Sequence, residues 1–185
     1  SATVHRSVYE SGATASTYYE ATRQEVKEFL CSDQSGEVVF TKSATEALNL
    51  LSYSLCSICL KRGDEIIVSV AEHHSNFVPW QEACRRTGAK LVVVGLNEAT
   101  QVDLEELESK ISARTKIVAI NHISNVLGTK NPVKKIASIC KQNGVYLVVD
   151  GAQSVAHEKI DVIDLECDFF VFSGHKMYGP TGVGV

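Results

Sequence analysis

The feature that most constrains the fold is an apolar run near the end of the chain, Val145–Val149, which Asp150 and Gly151 follow directly. A strand with one exposed face alternates apolar and polar residues, whereas a strand covered on both faces is apolar throughout. The run therefore predicts a central strand of a sheet with helices on both faces. A carboxylate at the carboxyl end of such a strand lies where open α/β sheets bind ligands.

Strand and helix patterns alternate along the rest of the chain, which predicts a mainly parallel sheet in a three-layer α/β/α fold. Ser16 and Thr17 are predicted to cap the first helix, and Pro132 to stand in the first turn of the last. Predicted strands lie at 37–41, 65–70, 90–94, 116–120, 145–149 and 168–172. Predicted helices lie at 18–31, 43–60, 77–87, 103–111 and 132–143, with a short connector at 160–165.

Composition places the chain among ordinary globular proteins: 44% of its residues are hydrophobic, 22% are charged and the net charge is −4. No basic excess indicates nucleic acid, no apolar run reaches the roughly 18 residues of a membrane span, and the first residues lack the basic-then-apolar pattern of a secretion signal. We therefore expect an intracellular protein, cytoplasmic or in an organellar stroma or matrix, with its six scattered cysteines reduced. The chain begins without Met and ends on Gly182–Val185, a strand just starting, which indicates a truncated fragment.

A polar loop, Phe172–Gly182, follows the last predicted strand and contains Lys176 among Gly174, His175 and Tyr178. We expect these neighbours to hold Lys176 away from solvent. A free lysine has a pKa of about 10.4, so its amine becomes a nucleophile only when desolvation or imine formation favours the neutral form. Lysines of this kind bind carbonyl groups covalently, most often that of pyridoxal 5'-phosphate (PLP). The alternative is an ordinary loop lysine.

The stretch Thr41–Asn49 predicts the start of a helix, because Ser43 and Glu46 have the spacing of a capping box. A strand that leads directly into a helix leaves backbone N–H groups pointing outward, and together with the helix dipole these attract an anion such as a phosphate. That attraction contributes about 0.3–2 kcal/mol, so other donors must add to it. The alternative is a plain helix cap.

Asp150 needs a cationic partner, because an unpaired buried carboxylate is costly. A protonated pyridine nitrogen would serve, and the alternative is that Asp150 caps the next turn. The adjacent His73 and His74 raise the question of a metal, but zinc ligands usually stand at wider spacings. We predict no metal site and expect an imidazole here to stack on an aromatic cofactor ring.

Taken together and in order, these segments resemble the fold-type I PLP enzymes, and within them the Suf-type branch of class V, the group of cysteine desulfurases and selenocysteine lyases. The likeness extends over essentially the whole chain. Any one segment alone is a weak signal, whereas their joint order is specific. The segments that carry it lie at 4–6, 45–49, 72–76, 78–81, 122–128, 149–153 and 167–182.

The resemblance implies that residues 1–185 form the PLP-binding large domain of a parent enzyme, without its N-terminal segment and C-terminal small domain. Lys176 would form the Schiff base with PLP, Asp150 would pair with the pyridinium nitrogen, and His73 would stack on the ring. The other cofactor contacts would come from Asn125 and Gln153 at the phenolic oxygen and, at the phosphate, from Ala44, Thr45, Ser173 and His175.

The implied reaction converts L-cysteine to L-alanine and passes the sulfur, as a persulfide on an enzyme cysteine, towards iron–sulfur cluster assembly. Lys176, once released, would move protons. The implied partners are an amino-acid substrate, a sulfur-acceptor protein and a second copy of the chain. In the family the sulfur-accepting cysteine and the substrate-binding arginine lie beyond position 185, so we assign the sulfur to none of the six cysteines here.

Three alternatives remain open. Selenocysteine lyase uses the same machinery, and another class V aminotransferase or lyase, such as a kynureninase-like enzyme, comes next. Outside catalysis, the alternative is a scaffold that has kept the fold and lost the chemistry. Intact Lys176, Asp150 and His73 favour an enzyme, because a decayed site has no physical need for all three.

Overall fold

The computed structural model describes residues 9–32 and 36–185, so the segment at 4–6 lies outside the described residues. The helices are α1 (Glu10–Phe29), α2 (Ala44–Cys59), α3 (Val78–Thr87), α4 (Leu104–Lys110), α5 (Val133–Gln142) and α6 (Val162–Leu165). The strands are β1 (Glu65–Ser69), β2 (Lys90–Val94), β3 (Thr115–Asn121), β4 (Tyr146–Asp150) and β5 (Phe169–Val171). Two 3-10 turns, His74–Asn76 and Gly174–Lys176, follow β1 and β5.

The strands form one sheet in the order β2-β1-β3-β4-β5, and each neighbouring pair is parallel. From β1 the chain winds outward to β2, and it then returns to the other side of β1 to add β3, β4 and β5. The direction of winding therefore reverses between β1 and β3. Open α/β sheets bind ligands in the crevice at such a reversal, outside the carboxyl ends of the strands.

Helices cover both faces of the sheet. On one face Val68 and Val148 pack with Leu48 of α2 in a cluster that also includes α3. On the other face Val149 packs with Ile136 of α5 in a cluster that also includes α4. Because the central strands are buried on both sides, their sequences are apolar throughout. The predicted three-layer α/β/α fold with a parallel sheet is confirmed.

The first helix begins earlier than predicted. Helix α1 starts at Glu10, and Ser16 and Thr17, predicted to cap it, lie inside it. Their hydroxyls donate to the carbonyl oxygens of Gly12 and Ala13, one turn back, at 3.0 Å. Serine and threonine satisfy their hydroxyls in this way within helices, so they are ambiguous as signals of a helix start.

The strand predicted at 37–41 is wrong. Residues 36–40 are irregular, and Thr41 alone pairs, in an isolated antiparallel bridge with Gly184. Val38 is buried without a strand partner, which explains the apolar pattern. The connector at 160–165 contains the short helix α6, and the other predicted elements agree with the structure to within one residue at each end. In the described ranges, no helix combines the length and apolar composition that crossing a bilayer requires.

The packing of α2 can be tested with two leucines of the same helix. Leu48 is fully buried, whereas Leu50 is 48% exposed. Leu48→Ala should lower the free energy of unfolding by about 2–5 kcal/mol, because the lost side chain leaves a cavity. Leu50→Ala, the matched control, should change it by less than about 0.5 kcal/mol. Urea denaturation followed by circular dichroism measures both, and equal losses would contradict the packing described here.

Candidate active site

The candidate site lies along the carboxyl edge of the sheet. His73 follows β1, Asn125 follows β3, Gln153 follows β4 and Lys176 follows β5. Asp150 is the last residue of β4. Because parallel strands bring their carboxyl ends to one edge, residues that are far apart in the sequence lie near each other there.

Asp150 is the buried member of the group, with 6% of its surface exposed. Its Oδ1 accepts a hydrogen bond from the Ala152 backbone N–H at 2.9 Å, so the carboxylate does cap the next turn. Burial raises the pKa of Asp150, while the Ala152 amide, Lys176 and His73 each lower that pKa. Lys176 and His73 are therefore close enough to act on the Asp150 carboxylate. The structure brings these three predicted residues together.

Lys176 ends the 3-10 turn that directly follows β5. Its side chain is exposed, which corrects the expectation that its loop holds it away from solvent. Tyr178, the aromatic neighbour, is itself 91% exposed and therefore covers little. What distinguishes Lys176 from an ordinary loop lysine is its closeness to Asp150, not desolvation by adjacent residues.

His73 stands just before the turn His74–Asn76, and its side chain is exposed at the edge of the sheet. Its Nδ1 accepts a hydrogen bond from the Ser75 N–H at 3.1 Å and lies 2.5 Å from the Ser75 hydroxyl. Because Nδ1 acts as an acceptor, the proton of the neutral ring belongs on Nε2. These contacts restrain the ring and leave its face available to a stacking partner.

A pocket of about 500 Å³ opens between the segments that follow β1 and β3. His73 and Asn125 line it, together with the apolar side chains of Val126 and Leu127. Gln153 lies half-buried in the turn after β4. The size of the pocket falls within the roughly 300–1,000 Å³ of small-molecule sites.

The histidine pair does not form a metal cluster. Within residues 9–32 and 36–185, no group of three or more His, Cys, Asp or Glu side chains could hold a metal ion. The rings of His73 and His74 are 6.2 Å apart and tilted by 59°. Of the two, His73 is the one that acts on Asp150.

The amino end of α2 forms the second half of the site. Ser43 Oγ accepts a hydrogen bond from the Glu46 N–H at 3.2 Å, and the Glu46 carboxylate accepts one from the Lys42 N–H at 2.5 Å. The predicted helix start is therefore confirmed. The Ala44 N–H donates to Ser173 Oγ at 2.8 Å, and this bond joins α2 to the segment that follows β5.

Several donors at this end are available to an anion. Thr45 is exposed, and its backbone N–H has no partner in the described part of the chain. Ser173 Oγ already accepts from Ala44, so its own hydroxyl proton is left to donate. His175 lies exposed in the same turn as Lys176. Donors grouped at a helix N-terminus suit a phosphate.

The last residues of the chain hold these parts together. Gly184 exchanges two backbone hydrogen bonds of 2.8 Å with Thr41, and Val185 exchanges two with Phe172 at 2.9 and 3.0 Å. A Cβ on Gly184 would lie 2.3 Å from the Ser43 carbonyl carbon, so only glycine allows this approach. The bridge thereby fixes the start of α2 beside the segment that follows β5.

Glu72 was given no separate role by the sequence, yet it lies at the centre of this edge. Its carboxylate accepts hydrogen bonds from Ser69, Asn76 and Asn121 at 2.6, 2.7 and 2.9 Å. Burial raises the pKa of Glu72 to about 7. No local signal marks it, because Glu72 lies outside any helix or strand and its bond to Asn121 joins residues 49 positions apart.

Solved structures share this fold. The chain superposes on the cysteine desulfurase CsdA from Escherichia coli with a TM-score of 0.88 and 40% identity, over 98% of this chain and 45% of that one. The apo structure of a cysteine desulfurase from Thermococcus onnurineus NA1 gives a TM-score of 0.90 and 40% identity, over 97% of this chain and 44% of that one. The similarity therefore covers the whole described sheet.

The curated relatives carry the same name as these solved structures. A probable cysteine desulfurase of Halalkalibacterium halodurans is 49% identical over 98% of this chain and 45% of its own length. A cysteine desulfurase of Synechococcus elongatus is 47% identical over 98% of this chain and 29% of its own length. The chain thus spans less than half the length of these relatives. The family profile described as aminotransferase class-V matches residues 1–185. The chain therefore belongs to the aminotransferase class-V family.

Proposed function

We propose that this chain forms the cofactor-binding part of a PLP-dependent cysteine desulfurase. The enzyme would convert L-cysteine to L-alanine and pass the sulfur, as a persulfide on an enzyme cysteine, towards iron–sulfur cluster assembly. The observation that carries the proposal is the buried Asp150 carboxylate, on which Lys176 and His73 both act. A buried carboxylate needs a cationic partner, and a pyridinium ring supplies one. The cysteine desulfurases among the relatives support the choice of reaction.

PLP, when bound, supplies an electron sink that weakens the bonds of the substrate and prepares the carbon–sulfur bond for cleavage. The residues present fit the nitrogen end of this group. Asp150 accepts one hydrogen bond, at Oδ1, and its Oδ2 has no partner in the described ranges. The poor solvation that raises the pKa of Asp150 also strengthens its attraction for a nearby cation. Asp150 Oδ2 would therefore accept a hydrogen bond from the protonated ring nitrogen.

The residues at the start of α2 fit the phosphate end. Ser173 Oγ accepts a hydrogen bond from the Ala44 N–H. The hydroxyl proton of Ser173 is therefore free to be donated to a phosphate oxygen. The Thr45 N–H adds a donor at the positive end of the α2 dipole, where a charge gains about 0.3–2 kcal/mol. His175 would add a further donor. Side-chain and backbone donors would thus share the charge of the phosphate.

The remaining residues would position the ring and move protons. His73 is restrained at Nδ1 by Ser75, so its flat face is free to stack on the ring. Asn125 and Gln153 would bind the phenolic oxygen. Lys176 would hold the cofactor covalently until the substrate amine displaces it, and its free amine would then accept and return a proton at the substrate.

Five of the six cysteines are unsuited to accept sulfur. Burial raises the pKa of Cys56, Cys140 and Cys167 to about 12 and that of Cys84 to about 11. Burial also raises the pKa of Cys59. Because the thiolate and not the thiol is the nucleophile, these groups are weak acceptors at neutral pH. We assign the persulfide to none of them.

Further properties belong to the same proposal. We treat residues 1–185 as the PLP-binding large domain of the enzyme. We propose that the enzyme is a homodimer in the cytoplasm, takes a small amino acid as its substrate and delivers sulfur to a separate acceptor protein. Similarity to cysteine desulfurases from several bacteria supports the choice of substrate.

Lys176→Ala tests the covalent role. With PLP, the wild-type enzyme should show a visible absorption band that borohydride bleaches, and mass spectrometry should place the trapped group on Lys176. The variant should show neither, and it should form alanine from L-cysteine about 10²–10⁴-fold more slowly, because its proton carrier is lost. Lys135→Ala, at an exposed lysine of α5, is the control and should keep both properties. Unchanged turnover in Lys176→Ala would refute the assigned role.

Asp150→Asn should separate stability from function. Because the pKa of Asp150 is raised in the folded state, the folded protein holds this proton more tightly than the unfolded chain. Ionised Asp150 therefore destabilises the fold at neutral pH, and this penalty disappears as the pH falls to the ordinary pKa of 3.8.

In the cofactor-free protein, Asp150→Asn should therefore raise the melting temperature near neutral pH, with a smaller gain in acid. The same substitution should weaken PLP binding at least about tenfold, since the partner of the ring nitrogen becomes neutral. Scanning calorimetry and absorption titration measure the two effects, with Glu108→Gln, at an exposed residue of α4, as the control. A variant that melts lower than wild type at neutral pH would contradict the account of Asp150.

The cysteines can be tested by alkylation. Cys140 and Cys167 have a pKa of about 12 against an ordinary 9.0, so at neutral pH they carry roughly a thousandth of the thiolate of an ordinary cysteine. Iodoacetamide should therefore modify them at least about 10²-fold more slowly in the folded protein than in guanidinium. After reaction with L-cysteine, mass spectrometry should find no persulfide on either residue. A persulfide there would overturn the assignment.

A further inference from the structure

A partly buried hydrogen-bond network lines the pocket and centres on Glu72. Its Oε1 accepts from the Ser69 hydroxyl at 2.6 Å and from Asn121 Nδ2 at 2.9 Å, and its Oε2 accepts from Asn76 Nδ2 at 2.7 Å. Ser69 and Asn76 are fully buried, and Asn121 is 4% exposed. Ser69 and Asn76 flank the segment that carries His73, whereas Asn121 ends β3. The carboxylate therefore ties that segment to another strand.

The network suits only a carboxylate at its centre. Asn76 Oδ1 accepts the Trp80 indole N–H at 3.0 Å, so the amino group of Asn76 faces Glu72. Asn121 Oδ1 accepts from Asn131 Nδ2 at 3.1 Å, so the amino group of Asn121 faces Glu72 as well. Both groups donate. A glutamine in place of Glu72 would set one amino group against another whichever way its amide turned.

Glu72 also lies at the reversal in the winding of the sheet. It belongs to the segment after β1 and bonds to the end of β3. Asn121 stands opposite Asp150 in the register of β3 and β4. His73 is the next residue along the chain and lies on the same segment as Glu72. Its charge lowers the pKa of Asp150. Asn121 Nδ2 also donates to the Ala71 carbonyl oxygen at 3.0 Å, so two hydrogen bonds from one side chain join the His73 segment to the end of β3, and one of them needs the Glu72 carboxylate.

We propose that Glu72 is a positioning residue, whose carboxylate anchors segment 69–76 on the end of β3 and so holds the His73 ring at a set distance from Asp150. This role rests on the proposed function, in which His73 stacks on the PLP ring and Asp150 pairs with the ring nitrogen. Glu72 acts through its neighbours and carries out no chemistry itself.

The charge of Glu72 makes this anchor sensitive to pH. Burial raises the pKa of Glu72 to about 7, its three side-chain hydrogen bonds lower that pKa, and the charge of Asp150 raises it. The other titratable groups at this edge include His73 and His74 on the same segment, His122 directly after β3, and His175 and Lys176 after β5. Protonation replaces an acceptor with a donor, so the network should loosen as the pH falls through neutrality.

Glu72→Gln is the direct test, and Glu108→Gln, at an exposed glutamate on α4, is the matched control. Ser69→Ala keeps the carboxylate and removes one donor, so it serves if Glu72→Gln folds poorly. The first measurement needs no cofactor: the NMR signals of the Trp80 indole N–H and of the His73 ring are followed across neutral pH. Trp80→Phe and His73→Gln assign these signals.

In the wild-type protein the Trp80 signal should shift with a midpoint near the pKa of Glu72, about 7. In Glu72→Gln this transition should disappear and the His73 signals should move, whereas Glu108→Gln should match wild type. In Ser69→Ala the midpoint should rise, because a lost donor favours the neutral carboxyl. A Trp80 transition that persists in Glu72→Gln, or His73 signals that stay in place, would overturn the proposal.

The second measurement uses PLP. Glu72→Gln should bind PLP at least about tenfold more weakly than wild type, because a displaced His73 stacks poorly on the ring. Equal affinities of the two proteins would overturn the proposal. A wild-type protein that binds no PLP would instead overturn the proposed function, and the role of Glu72 would then be decided by the cofactor-free signals.

Discussion

Burial of the Asp150 carboxylate at the end of β4 is the interaction on which the rest of the site depends. The strand is apolar on both faces, so the residue that ends it emerges from the core into a place that water reaches poorly. The Ala152 amide, Lys176 and His73 offset that burial, and the last two come from other segments. A carboxylate held in this way attracts a cation more strongly than one in water does.

Two hydrogen bonds between distant segments hold the surroundings of Asp150 in place. On one side, Glu72 bonds to Asn121, 49 residues away, across the reversal in the sheet. On the other, Ala44 bonds to Ser173, 129 residues away, and joins α2 to the segment that follows β5. The site is therefore held by bonds between segments and not by the conformation of any one loop.

Most of the fold could be predicted because its signals are local. The run Val145–Val149 marks a doubly covered strand by composition, and Ser43 with Glu46 marks a helix start by spacing. The predictions were wrong where the same local sequence pattern is compatible with two different structures. Ser16 bonds within α1 instead of capping it, and residues 37–41 bury an apolar side chain without joining the sheet.

By itself the sequence determined the α/β class, the order of the elements and the residue types of the candidate site, since apolar patterns, turn residues and motif order can be recognised along the chain. Only the tertiary structure decided that Glu72 links two strands, that Ser173 is held by Ala44 and that Lys176 stays exposed. Hydrogen bonds and burial depend on which distant segments meet, and the winding of the sheet brings those segments together.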